Sequence, residues 1–257
     1  MNFILKRVPA SFCWPLHKPW EGFINEHEKS AQDCSVCDAT GLSSTARRLE
    51  AMWYGQAAFR PEDRGSVPLK PSDPHVRERA SRLVNLSESG YYGTGEAAIE
   101  REANRLCTLW NSSWINHLNS DDVAALLKAD RLWAFTREFV PGKGNVPKEN
   151  YVAPTPEQVN IWNIETSGHD ASNCWICCKA ECHRLGASFE CEHCEDGKIW
   201  PSPEVKAASQ AWRRTEPPAG NGYQMWAVTG EGCPVSPVFA TAEEMAAWLA
   251  DNELRAS

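Results

Sequence analysis

The chain has 257 residues, a formal net charge of −8 and 42% hydrophobic residues. That hydrophobic share excludes a disordered chain, and the acidic balance disfavours nucleic acid as a partner, because clustered Lys and Arg supply most of the affinity for phosphates. No apolar run reaches the ~20 residues of a membrane helix, and without a recognisable signal peptide the eleven cysteines predict a cytoplasmic protein with free thiols and metal ligands.

The N-terminal segment, residues 1–33, is rich in aromatic residues and shows neither a helical nor a strand period. Side chains such as Phe12, Trp14 and Trp20 carry a large apolar area that is stable only when it is packed. The segment is therefore predicted to be an extended arm lying on the body of the protein.

Two Cys-x-x-Cys turns are the most informative motifs in the chain, and each is followed by a glycine, Gly41 or Gly197. The two thiolates of such a turn reach one metal ion, and the glycine permits the positive φ that turns the chain back. Because structural zinc takes four ligands in a tetrahedron, we predict that the turns share one zinc and staple residues 34–41 to residues 191–197. A site of four thiolates has no open position for water, so this zinc is expected to be structural. The predicted ligands are Cys34, Cys37, Cys191 and Cys194.

A local metal site is the alternative to the shared one. Cys178, Cys182 and His183 precede the second turn closely enough to complete a site with it, and His27 is a candidate ligand for the first turn. The shared site has the larger effect on folding, because closing a very long loop removes much entropy from the unfolded chain.

Between the two turns, capping residues and apolar side chains at three- and four-residue spacing predict a mostly helical chain. Proline-rich residues 55–74 and the Pro/Gly/Lys segment 141–154 are predicted loops. Gly90–Gly95 is a predicted turn that lacks the Gly-Lys-Ser/Thr ending of a phosphate-binding loop. The predicted helices run from Ser43 or Ser44 to Trp53, from Pro74 to about Leu86, from Glu96 to Leu118, from a cap at Asn119 or Ser120, from Thr155-Pro156, and from Asp170 to Leu185.

The helix from Asp170 to Leu185 carries a stripe of cysteines on one face. Free cysteine is often buried, so the stripe is predicted to be core, and the alternatives are a second metal cluster that includes His183 or a cysteine nucleophile. At the start of this helix, His169 and Asp170 are predicted to form a turn and an N-cap, and the alternative is a general base and a ligand in an enzyme site. The stripe comprises Cys174, Cys177, Cys178 and Cys182.

The last part of the chain is predicted to mix short strands and helices. Phe189 and Ile199-Trp200 are predicted strands beside the second turn, and Ser202 opens a helix to about Arg213. The tail then reads as a small ββα unit, whose predicted elements are the strands Tyr223–Thr229 and Pro237–Ala240 and a helix that starts at the capping box Thr241-Ala-Glu-Glu244.

These elements predict a mostly α fold with small β elements, of the α+β class. Residues 1–216 are predicted to form a helical body with the aromatic arm and the zinc staple. Residues 217–257 are predicted to form the separate C-terminal ββα unit.

The cysteine turns, Cys34-Ser-Val-Cys37-Asp-Ala-Thr-Gly41 and Cys191-Glu-His-Cys194-Glu-Asp-Gly197, resemble the Cys-x-x-Cys-x-Gly-x-Gly halves of the DnaJ-type zinc finger. In that finger, paired half-motifs share each zinc. Both turns depart from the pattern, because a second glycine is missing or displaced. The His-Pro-Asp signature of the J-domain is absent, so the resemblance does not imply chaperone function.

Longer phrases resemble uncharacterised bacteriophage and prophage proteins. They are Trp20-Glu-Gly-Phe-Ile-Asn25, Tyr91-Tyr-Gly-Thr-Gly-Glu-Ala-Ala-Ile99, and Tyr223-Gln-Met-Trp226 through Val238-Phe-Ala-Thr241. The resemblance implies an accessory protein of phage origin. Such a protein is expected to act in the host cytoplasm by binding host or phage machinery, including a defence system.

The residues leave catalytic activity open and favour a protein that works by macromolecular binding, because no complete catalytic motif is present. The acidic balance favours a partner protein with a basic surface. Two alternatives remain: a metal-dependent enzyme that acts on nucleic acid or nucleotides through His169 and Asp170, and a zinc-ribbon-like nucleic-acid-binding protein.

Overall fold

The computed structural model describes residues 3–86, 91–228 and 232–252. Gly90 of the predicted turn, Thr229 of a predicted strand and residues 253–257 of the predicted tail unit lie outside the described residues. In chain order, the elements are β1 (Phe3–Val8), α1 (Glu26–Lys29), β2 (Gln32–Asp33), α2 (Ser44–Trp53), α3 (Pro74–Leu86), α4 (Glu96–Asn111), α5 (Ser120–Lys128), α6 (Trp133–Thr136), β3 (Arg137–Val140), β4 (Gly144–Pro147), α7 (Pro156–Thr166), α8 (Ala171–Arg184), β5 (Lys198–Ile199), α9 (Pro203–Ala211), β6 (Gly222–Ala227), β7 (Cys233–Pro234) and α10 (Ala242–Asp251).

The fold is a mixture of helices and small antiparallel sheets, in agreement with the predicted α+β class. The chain divides into two compact units, of which unit 1 contains residues 1–33 and 198–257 and unit 2 contains residues 34–197. The segments on both sides of the predicted boundary at residue 217 belong to unit 1. A membrane-spanning helix would need a longer apolar run than any helix in the described part of the chain provides.

Unit 1 contains a three-stranded sheet in the order β1-β6-β7. The extended arm that we predicted for residues 1–33 is therefore partly wrong, because Phe3–Val8 is a strand paired with β6, with Val8 opposite Gly222. The sequence does not indicate this strand, because its side chains do not alternate between buried and exposed positions. Its register is set by β6, a buried strand that follows it in the chain only after more than two hundred positions.

The predicted ββα tail is present in part. β6 matches the first predicted strand, whereas the second, Pro237–Ala240, contributes a single bridge between Phe239 and Tyr223. The strand that pairs with the end of β6 is β7 instead. α10 begins at the predicted capping box, in which the Thr241 hydroxyl accepts a hydrogen bond from the backbone N–H of Glu244.

Unit 2 is predominantly helical, and its helices begin at the residues that the sequence indicates. Ser43 accepts a hydrogen bond from the backbone N–H of Ala46 at 3.1 Å and caps α2. Asn119 and Thr155 cap α5 and α7 through complete capping boxes, each of which satisfies backbone N–H groups that lack a partner within the helix.

Two predictions for unit 2 are corrected. The helix predicted to reach Leu118 ends at Asn111, whose side chain turns away to hydrogen-bond the backbone N–H and carbonyl of Leu69 at 2.8 and 2.9 Å. The Ser113 hydroxyl then donates to the carbonyl of Trp110 at 3.1 Å, in place of the next helical backbone hydrogen bond. The predicted loop 141–154 contains β4, which pairs with β3 in a hairpin.

The main core of unit 2 is formed by α2, α5, α7 and α8 around buried tryptophans. Trp53 and Trp114 are fully buried and meet edge to face, with ring centroids 5.4 Å apart. The cysteine stripe of α8 is part of this core, as predicted, and the Sγ atoms of Cys174 and Cys178 are 3.8 Å apart. Burial raises the pKa of Cys182, so its thiol is a poor nucleophile there.

A buried carboxylate, Asp122, joins several elements of unit 2. Its oxygens accept hydrogen bonds from the guanidinium groups of Arg64 and Arg184 and from the indole N–H of Trp114, all at 3.0 Å. The backbone N–H of Asn119 donates to the same carboxylate at 3.1 Å. Because the side chain is fully buried, these donors replace the water that an exposed carboxylate would bind.

We predict that Asp122→Asn destabilises the protein by about 3 kcal/mol, the lower end of the cost of breaking a buried ion pair, because Glu181 would remain as the second carboxylate beside both arginines. Asp121→Asn is the matched control, since Asp121 is the neighbouring carboxylate but is exposed and lies 3.9 Å from Arg184. Denaturant unfolding monitored by tryptophan fluorescence measures both variants. Equal midpoints for the two variants would contradict the prediction.

Candidate metal centre

The predicted ligands meet at one point of unit 2. The Sγ atoms of the cysteines all lie within 4.8 Å of one another, and the group can hold a metal ion. Three of the side chains are buried and the fourth, Cys194, is half-buried. The group consists of Cys34, Cys37, Cys191 and Cys194.

Each cysteine turn is shaped by residues with positive φ. In the first turn, the backbone N–H of Ala39 donates to the carbonyl of Cys34 at 2.9 Å, and Asp38 and Ala39 have φ values of 52° and 59°. In the second turn, Asp196 has a φ of 48°. Such backbone is strained for residues with a Cβ, and it bends each turn so that both thiols point to the same side.

Reciprocal backbone hydrogen bonds join the two turns. The N–H of Cys34 donates to the carbonyl of Gly197 at 2.8 Å, and the N–H of Cys191 donates to the carbonyl of Gly41 at 2.7 Å. A Cβ atom at Gly197 would lie 2.0 Å from the carbonyl oxygen of Ala39, well inside van der Waals contact. The glycines therefore have a second role besides positive φ, which is to let the two turns approach each other.

The distances between the thiols fit a shared ion and not a disulfide. The Sγ atoms of Cys37 and Cys194 are 3.5 Å apart, although the residues are separated by 157 positions in the chain. A tetrahedron with metal–sulfur bonds of ~2.3 Å has sulfur–sulfur distances of about 3.8 Å, whereas a disulfide bond is about 2.05 Å long. All cysteines of the chain lie in its described part, and each is a free thiol.

The electrostatics of the group favour a bound cation. Burial acts to raise the pKa of Cys37, but hydrogen bonds from the Gly41 N–H at 3.3 Å and from neighbouring thiols lower that pKa to about 7. Burial and hydrogen bonding with Cys37 raise the pKa of Cys194 to about 12. Without a cation, one thiolate opposes the ionisation of the next, whereas a divalent ion stabilises several thiolates together.

The residues of the local alternative are not brought to this point. Cys178 and Cys182 are in the core of unit 2, and His183 is exposed on α8. His27 belongs to α1 of unit 1. Within residues 3–86, 91–228 and 232–252, the four cysteines of the two turns are the only group of three or more candidate ligands close enough to share an ion.

His169 and Asp170 have structural contacts. Asp170 caps α8 by accepting from the backbone N–H of Asn173 at 2.9 Å, and it is paired with Arg131. Burial acts to raise the pKa of Asp170, but the Asn173 hydrogen bond and the charge of Arg131 lower it.

His169 is buried between the rings of Trp53 and Trp162, and burial lowers its pKa to about 4. Asp170 is therefore the N-cap that the sequence predicted, and His169 is a buried neighbour of the two tryptophans.

Comparisons with protein-family models, with curated proteins and with solved structures found no match to this chain.

We predict that Gly197→Ala abolishes stoichiometric metal binding, because the added methyl group would separate the two turns. Gly186→Ala is the matched control, since Gly186 also has a positive φ, of 64°, but a Cβ added there would have no neighbouring atom within 4 Å. The strain of a positive φ is common to both variants, so their difference isolates the close approach. Metal content after gel filtration is the measurement, and equal retention by both variants would exclude this role for Gly197.

Proposed function

We propose that the cysteine group binds one structural zinc ion and that the protein, held together in this way, acts by binding another macromolecule. The observation that carries the zinc assignment is the all-thiolate ligand set, with three of its four side chains buried. Tetrahedral zinc with four thiolates is coordinatively closed, so it stabilises a fold and does not activate water.

The position of the group in the chain supports a stapling role. Cys34 is the first residue of unit 2 and Gly197 is the last, so the site joins the two ends of that unit. Closing so long a loop reduces the entropy of the unfolded chain, and the binding free energy of zinc, on the order of 10 kcal/mol in small zinc peptides, adds to the stability of the folded state.

We predict about one equivalent of zinc per chain, which Cys34→Ser and Cys191→Ser should each release. Cys182→Ser is the matched control, because Cys182 is also buried but lies in the core of unit 2. Metal analysis by mass spectrometry after gel filtration gives the stoichiometry. Full zinc retention by Cys34→Ser together with zinc loss from Cys182→Ser would favour the local site instead.

Exposed aromatic residues beside the β3–β4 hairpin support the binding role. We define the hairpin surface as Trp133, Arg137 and Phe139. Trp133 is 46% exposed and Phe139 is 71% exposed, and the guanidinium of Arg137 lies 4.2 Å from the Trp133 ring centroid. Tryptophan, tyrosine and arginine are enriched among the residues that dominate interface energetics, and rigid aromatic side chains bury much area with little loss of side-chain entropy.

The net charge of −8 favours a partner with a basic surface, because complementary charge accelerates association. The resemblance to bacteriophage proteins makes a protein of the bacterial host, such as a component of a defence system, the expected partner. The hairpin surface is then the contact that holds it.

We predict that Phe139→Ser reduces capture of this partner at least about tenfold in a pull-down from bacterial lysate, through loss of an interface anchor. Leu185→Ser is the matched control, since Leu185 is also exposed but lies at the end of α8. Capture by the wild type should also weaken between low and high salt, because ions screen surface charge. A partner that Phe139→Ser and Leu185→Ser retain equally would exclude the hairpin surface as its site.

A further inference from the structure

A large cavity in unit 2 is lined by a serine and a histidine that belong neither to the metal centre nor to the hairpin surface. Its volume is about 910 Å³, and its wall includes the loop before α3, the start of α5 and one side of α7. Apolar side chains such as Val67, Leu69 and Ile161 line much of it, together with Ser66 and His117. This volume is within the range of pockets that hold small molecules, roughly 300–1,000 Å³.

Ser66 and His117 are hydrogen-bonded in the wall of this cavity. The Oγ atom of Ser66 lies 2.8 Å from Nδ1 of His117, and Nε2 of His117 lies 3.2 Å from Oδ1 of Asn111. His117 is buried, and Ser66 is half-buried. No sequence motif links His117 to Ser66, from which it is separated by 51 positions.

The orientation of Asn111 determines which nitrogen of His117 carries the proton. Its Oδ1 accepts from the N–H of Leu69 at 2.8 Å, and its Nδ2 donates to the carbonyl of Leu69 at 2.9 Å, so the amide cannot be reversed. Since Oδ1 can only accept, Nε2 of His117 must donate. In the neutral ring Nδ1 is then the acceptor, and the Ser66 hydroxyl donates a hydrogen bond to it. Burial lowers the pKa of His117 to about 4, which keeps the ring neutral at pH 7.

We propose that Ser66, His117 and Asn111 form an acyl-transfer site for carboxylic esters with an apolar acyl group, with Ser66 as nucleophile, His117 as general base and Asn111 as a positioning residue. A nucleophile bonded to a base, and a base held by a third group, is the arrangement by which a neutral hydroxyl is activated. The site is independent of the zinc staple and of the partner.

The reaction balances with water as the only co-reactant. Ser66 Oγ attacks the carbonyl carbon of the ester while its proton moves to Nδ1 of His117. The tetrahedral intermediate then expels the alcohol, which takes the proton from Nδ1 and leaves an acyl ester on Ser66. Water attacks that ester through the same proton transfers, so that the acid is released and the Ser66 hydroxyl is restored. Asn111 accepts from Nε2–H throughout and keeps the ring in the required tautomer.

Arg64 supplies a positive group in the same wall, two residues before Ser66. Its Nη2 donates to Asp122 at 3.0 Å and to Glu181 at 3.3 Å, and its guanidinium lies 4.3 Å from the Trp114 ring centroid, so the side chain is held in place. Its Nε is buried and has no hydrogen-bond partner in the described part of the chain. The guanidinium is therefore committed to these two carboxylates, and it supports the cavity wall without taking part in the reaction.

The test is covalent labelling of the full-length, metal-loaded protein with an alkyl fluorophosphonate, followed by peptide mapping. The expected result is an adduct on Ser66 that forms faster than any adduct on Ser120, a serine that lines the same cavity. The expected ratio is at least about a hundredfold, because a general base contributes ~10²–10⁴-fold. It is measured on the wild type, so it does not depend on how a variant folds.

Hydrolysis of p-nitrophenyl butyrate gives the second readout. Ser66→Ala should remove both labelling and hydrolysis in a protein that remains folded by circular dichroism, and Ser120→Ala should retain both. Labelling of Ser66 no faster than Ser120, or ester hydrolysis that is unchanged in Ser66→Ala, would overturn the proposal and leave the Ser66–His117 hydrogen bond as a purely structural contact. Zinc content and partner capture are measured in separate experiments, so a failure of the esterase proposal leaves the proposed zinc site and partner binding unaffected.

Discussion

The contact between the two cysteine turns is the constraint on which unit 2 depends. Each turn donates a backbone hydrogen bond to the glycine carbonyl of the other, through Cys34 to Gly197 and Cys191 to Gly41. This symmetry brings the thiols within 4.8 Å of one another, at the two ends of the unit's chain. A metal ion bound there would convert a weak contact between distant segments into a strong one, because several thiolates would bind it together.

Inside unit 2, polar side chains are held in single orientations by partners that can only donate or only accept. Asp122 is surrounded by donors, and Asn111 is fixed by both backbone groups of Leu69. A buried polar group is stable only when its hydrogen bonds are complete. These contacts therefore define the positions of Arg64 and His117, and with them the chemistry of the cavity wall.

The helices of unit 2 were predictable because their signals are local. Ser43, Asn119 and Thr155 each hydrogen-bond a backbone group within three positions, so their capping role needs no distant partner. The strand β1 and the end of α4 were not predictable, because the first depends on β6 and the second on a contact of Asn111 with Leu69. In both cases the deciding partner lies far away in the chain.

The candidate metal centre also combines local features that the sequence predicts with distant contacts that it does not. The sequence alone indicated which cysteines form the group, since Cys-x-x-Cys spacing and a following glycine are local properties of a turn. Only the tertiary structure could bring the two turns together, keep Cys182 in the core of the unit, and put Ser66 beside His117. The physical reason is that a hydrogen bond or metal site between remote residues depends on the path of the whole chain, which no local pattern encodes.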